Sequence, residues 1–182
     1  MRLMLALLLA ASPAVALARN PSSQVDYDGF RALTAQVSDY RRSRLLGWDD
    51  FAARARQKDV LLLDARSAEA YAAGHIGGAV NLPFTDFTAA SLAQVIGDPN
   101  RPILIYCNNN FVNDRAPVRM KARPLALNIQ TFINLVGYGY RNVYELRDAI
   151  DLEDPKVGWV KGEAALRREA ARERLLGRPS GG

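Results

Sequence analysis

Cys107 is the only thiol in the chain, and it ends a short apolar run, Ile103 to Tyr106, that begins after Pro102. Such a run reads as a buried strand. Asn108, Asn109 and Asn110 follow directly. Asparagine tolerates left-handed backbone and bonds locally to main chain, so the strand should run straight into a turn. N–H groups of turning backbone can converge on a neighbouring sulfur, lowering its pKa or cradling an anion. The three asparagines are therefore either anion donors or suppliers of turn geometry. Phe111 and Val112 continue the loop, and Arg115 is the first cation after the cysteine. The thiol itself is a nucleophile, an inert buried group, or half of a bridge between two chains.

Two further places carry chemistry. Asp64 and Arg66 close a second apolar run, Val60 to Leu63. Binding groups collect at strand ends in open α/β sheets, although an ion pair or turn cap tying down the loop is the favoured reading. His75 is the single histidine, either catalytic or a structural part of a turn.

These residues need elements to position them. Phe30, Leu33 and Val37 fall at helical spacing within residues 27–45, and Phe51, Ala52 and Ala55 do so within 48–57. Ser67 looks like the N-cap of a short helix through Glu69, Tyr71 and Ala73, closed by Gly74. Residues 75–82 read as one strand with a glycine bend, and 91–96 as a helix leaving through the turn at 97–100. A strong helix runs from about Leu125 to Val136 and stops at Gly137; residues 142–146 form the last strand. Strand and helix alternate throughout, which predicts an α/β fold with a mostly parallel sheet. Trp159 and Tyr138 look like packing residues.

The chain of 182 residues has room for one compact domain with short extensions. A net charge of +5 is modest, and no nucleic-acid motif accompanies the arginine-rich stretches at 115–123 and 167–178, so no nucleic-acid partner is expected. A positive start at Arg2, an apolar run from Leu3 to Ala11 and small residues around Ala16 and Ala18 have the layout of a secretory signal peptide, residues 1–18. Cleavage after Ala18, or alternatively Ala16, would yield a periplasmic or secreted protein with no membrane span. Residues 19–44 then form a leader and a helix, 45–153 the main domain, and 154–182 a basic tail with a charged helix at 163–176. The tail reads as solvated, with docking to a partner as the alternative.

Leu62 to Arg66, then Glu69 and Tyr71, then Gly74-His75-Ile76-Gly77-Gly78-Ala79-Val80-Asn81-Leu82-Pro83 together resemble the rhodanese-like domain. In that family these elements precede a strand ending in the active-site cysteine, here Ile103 to Cys107. The resemblance covers roughly residues 45–153 and implies an open parallel sheet with helices on both faces. It also implies sulfur transfer through a persulfide on Cys107, with Asn108, Asn109, Asn110, Phe111, Val112 and Arg115 around the anion and Asp64, Arg66 and His75 in the structural motif. A small sulfur-containing anion or a thiol acceptor would be the partner, and no metal or organic cofactor is implied. Related members that act on phosphate or arsenate need an arginine soon after the cysteine, and Arg115 is too distant.

One departure stands out. Val112 and Asn113 occupy the place where active members commonly carry a basic residue, and Pro117 and Pro124 delay the next helix. The expectation is a long connection, with the helix N-terminus displaced from the sulfur and Arg115, Arg119, Lys121 and Arg123 lining the entrance. A rhodanese-fold binding or sensing module that engages a protein partner is the alternative to an enzyme.

Overall fold

The computed structural model describes residues 24–162 together with Arg167, Ala171 and Arg174. The expected signal peptide at 1–18 and most of the expected charged helix at 163–176 lie outside the described residues. Helix α1 (Tyr27–Arg42) starts where the Asp26 side chain accepts the Gly29 N–H at 2.8 Å. Strand β1 (Leu45–Leu46) leads into α2 (Trp48–Ala55), and β2 (Leu61–Asp64) into α3 (Ala68–Ala73), which Ser67 caps through the Ala70 N–H. Strands β3 (His75–Ile76) and β4 (Val80–Asn81) come next, followed by α4 (Ala89–Ile96) and β5 (Ile103–Tyr106). The order closes with α5 (Leu127–Gly137), β6 (Val143–Leu146) and β7 (Trp159–Val160).

Five strands form one sheet in the order β1-β6-β5-β2-β4, and every neighbouring pair is parallel. Parallel strands must be covered on both faces, so they are apolar on both. Leu61, Leu63, Ile103, Ile105 and Val143 face Val37 of α1, Leu92 and Ile96 of α4 and Phe132 of α5. Leu62, Leu104, Tyr106 and Leu146 face Phe51 of α2 and half-buried Tyr71 of α3. The alternation along β2 and β5 is the strand period at work. The parallel α/β sheet is the architecture that the alternation of apolar runs predicts, and helices on both faces are what the family resemblance implies.

Three local readings are corrected. Residues 75–82 are two strands, because Gly78 at φ +84 turns the chain between them. Strand β3 leaves the main sheet to pair antiparallel with β7, while β4 joins β2. Strands β1 and β7, two residues each, are too short to leave a periodic trace. Tyr138 is 45 % exposed and so is no core residue.

Trp159 does pack, and closely. It meets the Phe111 ring edge-on at 5.2 Å, and a Cβ added to Gly74 would fall 2.5 Å from its indole nitrogen. Only glycine fits that C-cap position against the indole.

Candidate functional site

The carboxyl ends of β2 and β5 lie side by side, with Asp64 in register with Tyr106. Each end carries a different polar cluster. At β2, Asp64 is fully buried and Arg66 is 2 % exposed. The Arg66 guanidinium donates to both carboxylate oxygens, with its closest contact at 2.6 Å, and to the Gly74 carbonyl at 2.7 Å. Tyr106 donates its hydroxyl hydrogen to Asp64 at 2.7 Å and accepts the Ile76 N–H at 3.1 Å. Burial and the Asp64 charge push the Tyr106 hydroxyl well above its ordinary pKa. The carboxylate is thus paired on every side, and this cluster ties β2, β5 and the 74–76 turn together. His75 belongs to the same turn: its ring stacks on Tyr71 at 3.7 Å and its Nδ1 lies 2.9 Å from the Tyr71 carbonyl.

At β5, Cys107 is 1 % exposed. Asn108–Asn110 make one 3-10 turn immediately after it, and the Asn110 N–H donates to the sulfur. The N–H groups of Asn109, Leu127 and Asn128 act on it as well, each favouring the ionised sulfur. Four backbone donors, two from the turn and two from the first turn of α5, therefore converge on Sγ. Burial nevertheless pushes the thiol pKa up, aided by the negative field of Glu145, and outweighs these donors. The sulfur is held as a thiol inside a ready-made anion nest.

The helix N-terminus is therefore not displaced, contrary to the expectation drawn from the long connection. The chain leaves the 3-10 turn, runs parallel to the segment after β6 through the Phe111–Ile150 bridge, and only then returns to α5. The loop thus continues the pairing of β5 with β6 beyond the strand ends. Sequence spacing could not reveal this return, because it depends on contacts between residues some 40 positions apart.

The other loop residues fall into distinct places. Asn108 donates its amide to the Arg119 carbonyl at 2.9 Å. Asn109 clasps Lys121, donating to its carbonyl at 2.7 Å and accepting its N–H at 3.1 Å. The buried Asn110 accepts the Cys107 N–H at 2.9 Å and donates to the Leu146 carbonyl at 2.7 Å. Phe111 is fully buried and Val112 is exposed. Arg115 forms an ion pair with Glu153 instead of pointing at the sulfur. The backbone carbonyls of Arg119 and Lys121 engage the asparagines, while the side chains of Arg119, Lys121 and Arg123 are exposed.

Sequence reasoning missed Asn128, Glu145 and Arg41. Asn128 is 4 % exposed and donates to Asn110 at 2.9 Å and to Glu145 at 3.3 Å. A polar residue at the head of an apolar helix, and an acid inside a buried parallel strand, were the available signals. Among the described residues, no group of three or more His, Cys, Asp or Glu side chains is placed to hold a metal.

The site is thus a parallel sheet that delivers one cysteine into a cluster of N–H groups. The family model for the rhodanese-like domain matches residues 48–151, and the chain belongs to that family. It is similar to an HTH-type transcriptional regulator of Mycobacterium tuberculosis, 41 % identical over 58 residues, which are 32 % of this chain and 24 % of that one. The chain thus spans about a quarter of that relative's length. Among solved structures, it is similar to a rhodanese with anions from E. coli at 23 % identity and a TM-score of 0.37, covering 57 % of this chain and 99 % of that one. The Alr3790 protein from Anabaena sp. gives 16 % identity and a TM-score of 0.47 over 69 % of this chain and 99 % of that one. EanB in complex with hercynine gives 21 % identity and a TM-score of 0.46 over 75 % of this chain and 32 % of that one.

Proposed function

We propose that this protein is an exported sulfurtransferase that carries sulfane sulfur as a persulfide on Cys107. The observation that carries this reading is the convergence of the Asn109, Asn110, Leu127 and Asn128 N–H groups on Sγ. Donors fixed in place before the reaction stabilise negative sulfur without reorganisation. In the first step the Cys107 thiolate attacks the outer sulfur of thiosulfate or a similar donor. A sulfur–sulfur bond forms, and sulfite leaves with the electron pair of the bond that breaks. In the second step a nucleophilic acceptor attacks the terminal sulfur, and Cys107 departs as the thiolate. The layout of residues 1–18 supports export to the periplasm or beyond.

A second reading is favoured by a specific observation. Cys107 is 1 % exposed beneath a loop that Asn108 and Asn109 clamp, and burial keeps it protonated. That suits a rhodanese-fold module that binds or senses a protein partner without turnover. Intact mass after incubation with thiosulfate, with transfer to cyanide measured beside Cys107→Ser, separates the two. A one-sulfur adduct on Cys107 with turnover is the expected result. Neither adduct nor turnover, with a thiol that alkylates only after denaturation, would sink the enzyme and leave the module.

A further inference from the structure

Helix α1 lies outside the segment that matches the family, residues 48–151, yet it reaches the site. Arg41 on its last turn grips Glu145 with two hydrogen bonds, Nε to Oε2 at 2.5 Å and Nη2 to Oε1 at 2.7 Å. Glu145 is only 7 % exposed in its side chain, whereas Arg41 is 36 % exposed. The same Oε1 accepts the Asn128 amide at 3.3 Å, and that amide also donates to Asn110 Oδ1 at 2.9 Å. Asn110 Oδ1 in turn accepts the Cys107 N–H at 2.9 Å. An unbroken chain of hydrogen bonds therefore runs from a surface arginine to the cysteine backbone. Its two inner members, Asn128 and Asn110, are also two of the four residues whose own N–H groups hold the sulfur.

We propose that Arg41, Glu145, Asn128 and Asn110 form one positioning chain that sets the charge and geometry behind the Cys107 sulfur, making α1 a working part of the site. Glu145 fixes the amides that fix the nest, but its negative charge opposes a thiolate. Arg41 offsets that charge without touching the sulfur. Of the neighbouring elements, β6 supplies Glu145, α5 supplies only uncharged Leu127 and Asn128, and the turn supplies asparagines. The buried Asp64–Arg66 pair of β2 is internally neutral. Arg41 and Glu145 are thus positioning residues, and the proposal rests on Cys107 being the reacting group.

The test titrates the thiol directly in the full chain, by ultraviolet absorbance differenced against Cys107→Ser, together with the rate of alkylation by a small neutral reagent across pH. Glu145 meets Arg41 as the carboxylate of an ion pair. Arg41→Met should therefore move the titration to higher pH and slow alkylation at a fixed mildly alkaline pH by about tenfold. Arg41→Lys should restore part of the rate. Glu145→Gln, which keeps the side chain's shape, should move the titration to lower pH and speed alkylation. A shift in the same direction for both, an unchanged midpoint with both merely faster, or a thiol that stays protonated in every variant up to unfolding would overturn the proposal. Thiosulfate plays no part in this measurement. Opposite shifts without any sulfur adduct would leave the positioning chain standing while the sulfurtransferase reading fails.

Discussion

Two neighbouring strand ends solve the problem of buried polarity in opposite ways. At the end of β2, full charges are brought together: Asp64 faces Arg66 in a bidentate pair, with Tyr106 closing the remaining side. At the end of β5, neutral amides and backbone N–H groups surround a neutral thiol, and an ion pair stands behind them on Glu145 and Arg41. A buried charge pair is rigid, because neither member can leave without stranding the other. A nest of neutral donors around a thiol is satisfied as it is and gains strength if the sulfur becomes an anion. The first cluster holds the fold together, and the second is suited to a change of charge.

The largest effect should come from breaking the first cluster. Arg66→Met leaves Asp64 uncompensated at 0 % exposure and should destabilise the protein by about 3–5 kcal/mol in urea unfolding. A loss under about 1 kcal/mol would mean that the two strand ends differ less than their geometry says. A smaller effect is expected at the clamp over the second cluster. Asn109→Ala removes both bonds to Lys121 and should cost only about 1 kcal/mol, since the site is partly open to water. It should also raise the alkylation rate of Cys107 several-fold by freeing the connection, and an unchanged rate would show that this loop does not shield the sulfur. The smallest effect belongs to Arg115→Ala. Its pair with Glu153 is more than half exposed on both sides, so stability should change by no more than about 0.5 kcal/mol. Sulfur-donor affinity should also stay the same, and a clear loss would bring Arg115 back into the anion site.

Much of the first cluster was legible in the sequence, because its members are close along the chain. Asp64, Arg66 and His75 sit within one strand–helix–turn unit: the apolar run Val60 to Leu63 places Asp64 and Arg66 at a strand end, and the family resemblance places His75 in the turn. The fold was legible for the same reason: continuous apolar runs separated by helical periods admit few arrangements other than a covered parallel sheet. Cys107 at the end of β5 was legible too. Its surroundings were not. The donors Leu127 and Asn128 lie 20 or more positions downstream of it, and the long connection suggested that no helix end would come near. Arg41 and Glu145 are 104 positions apart, and nothing local to either residue announces the pair.

By itself, then, the sequence determined the element types, the parallel sheet and which strand end carries the thiol, since these follow from hydrophobic period and chain proximity. Only the tertiary structure decided that Cys107 lies buried at 1 % exposure, that the asparagines clamp main chain, and that α1 reaches the site through Arg41. Burial and charge compensation are sums over all neighbours in space. They exist only once the sheet has brought β5, β6 and the first turn of α5 to one place.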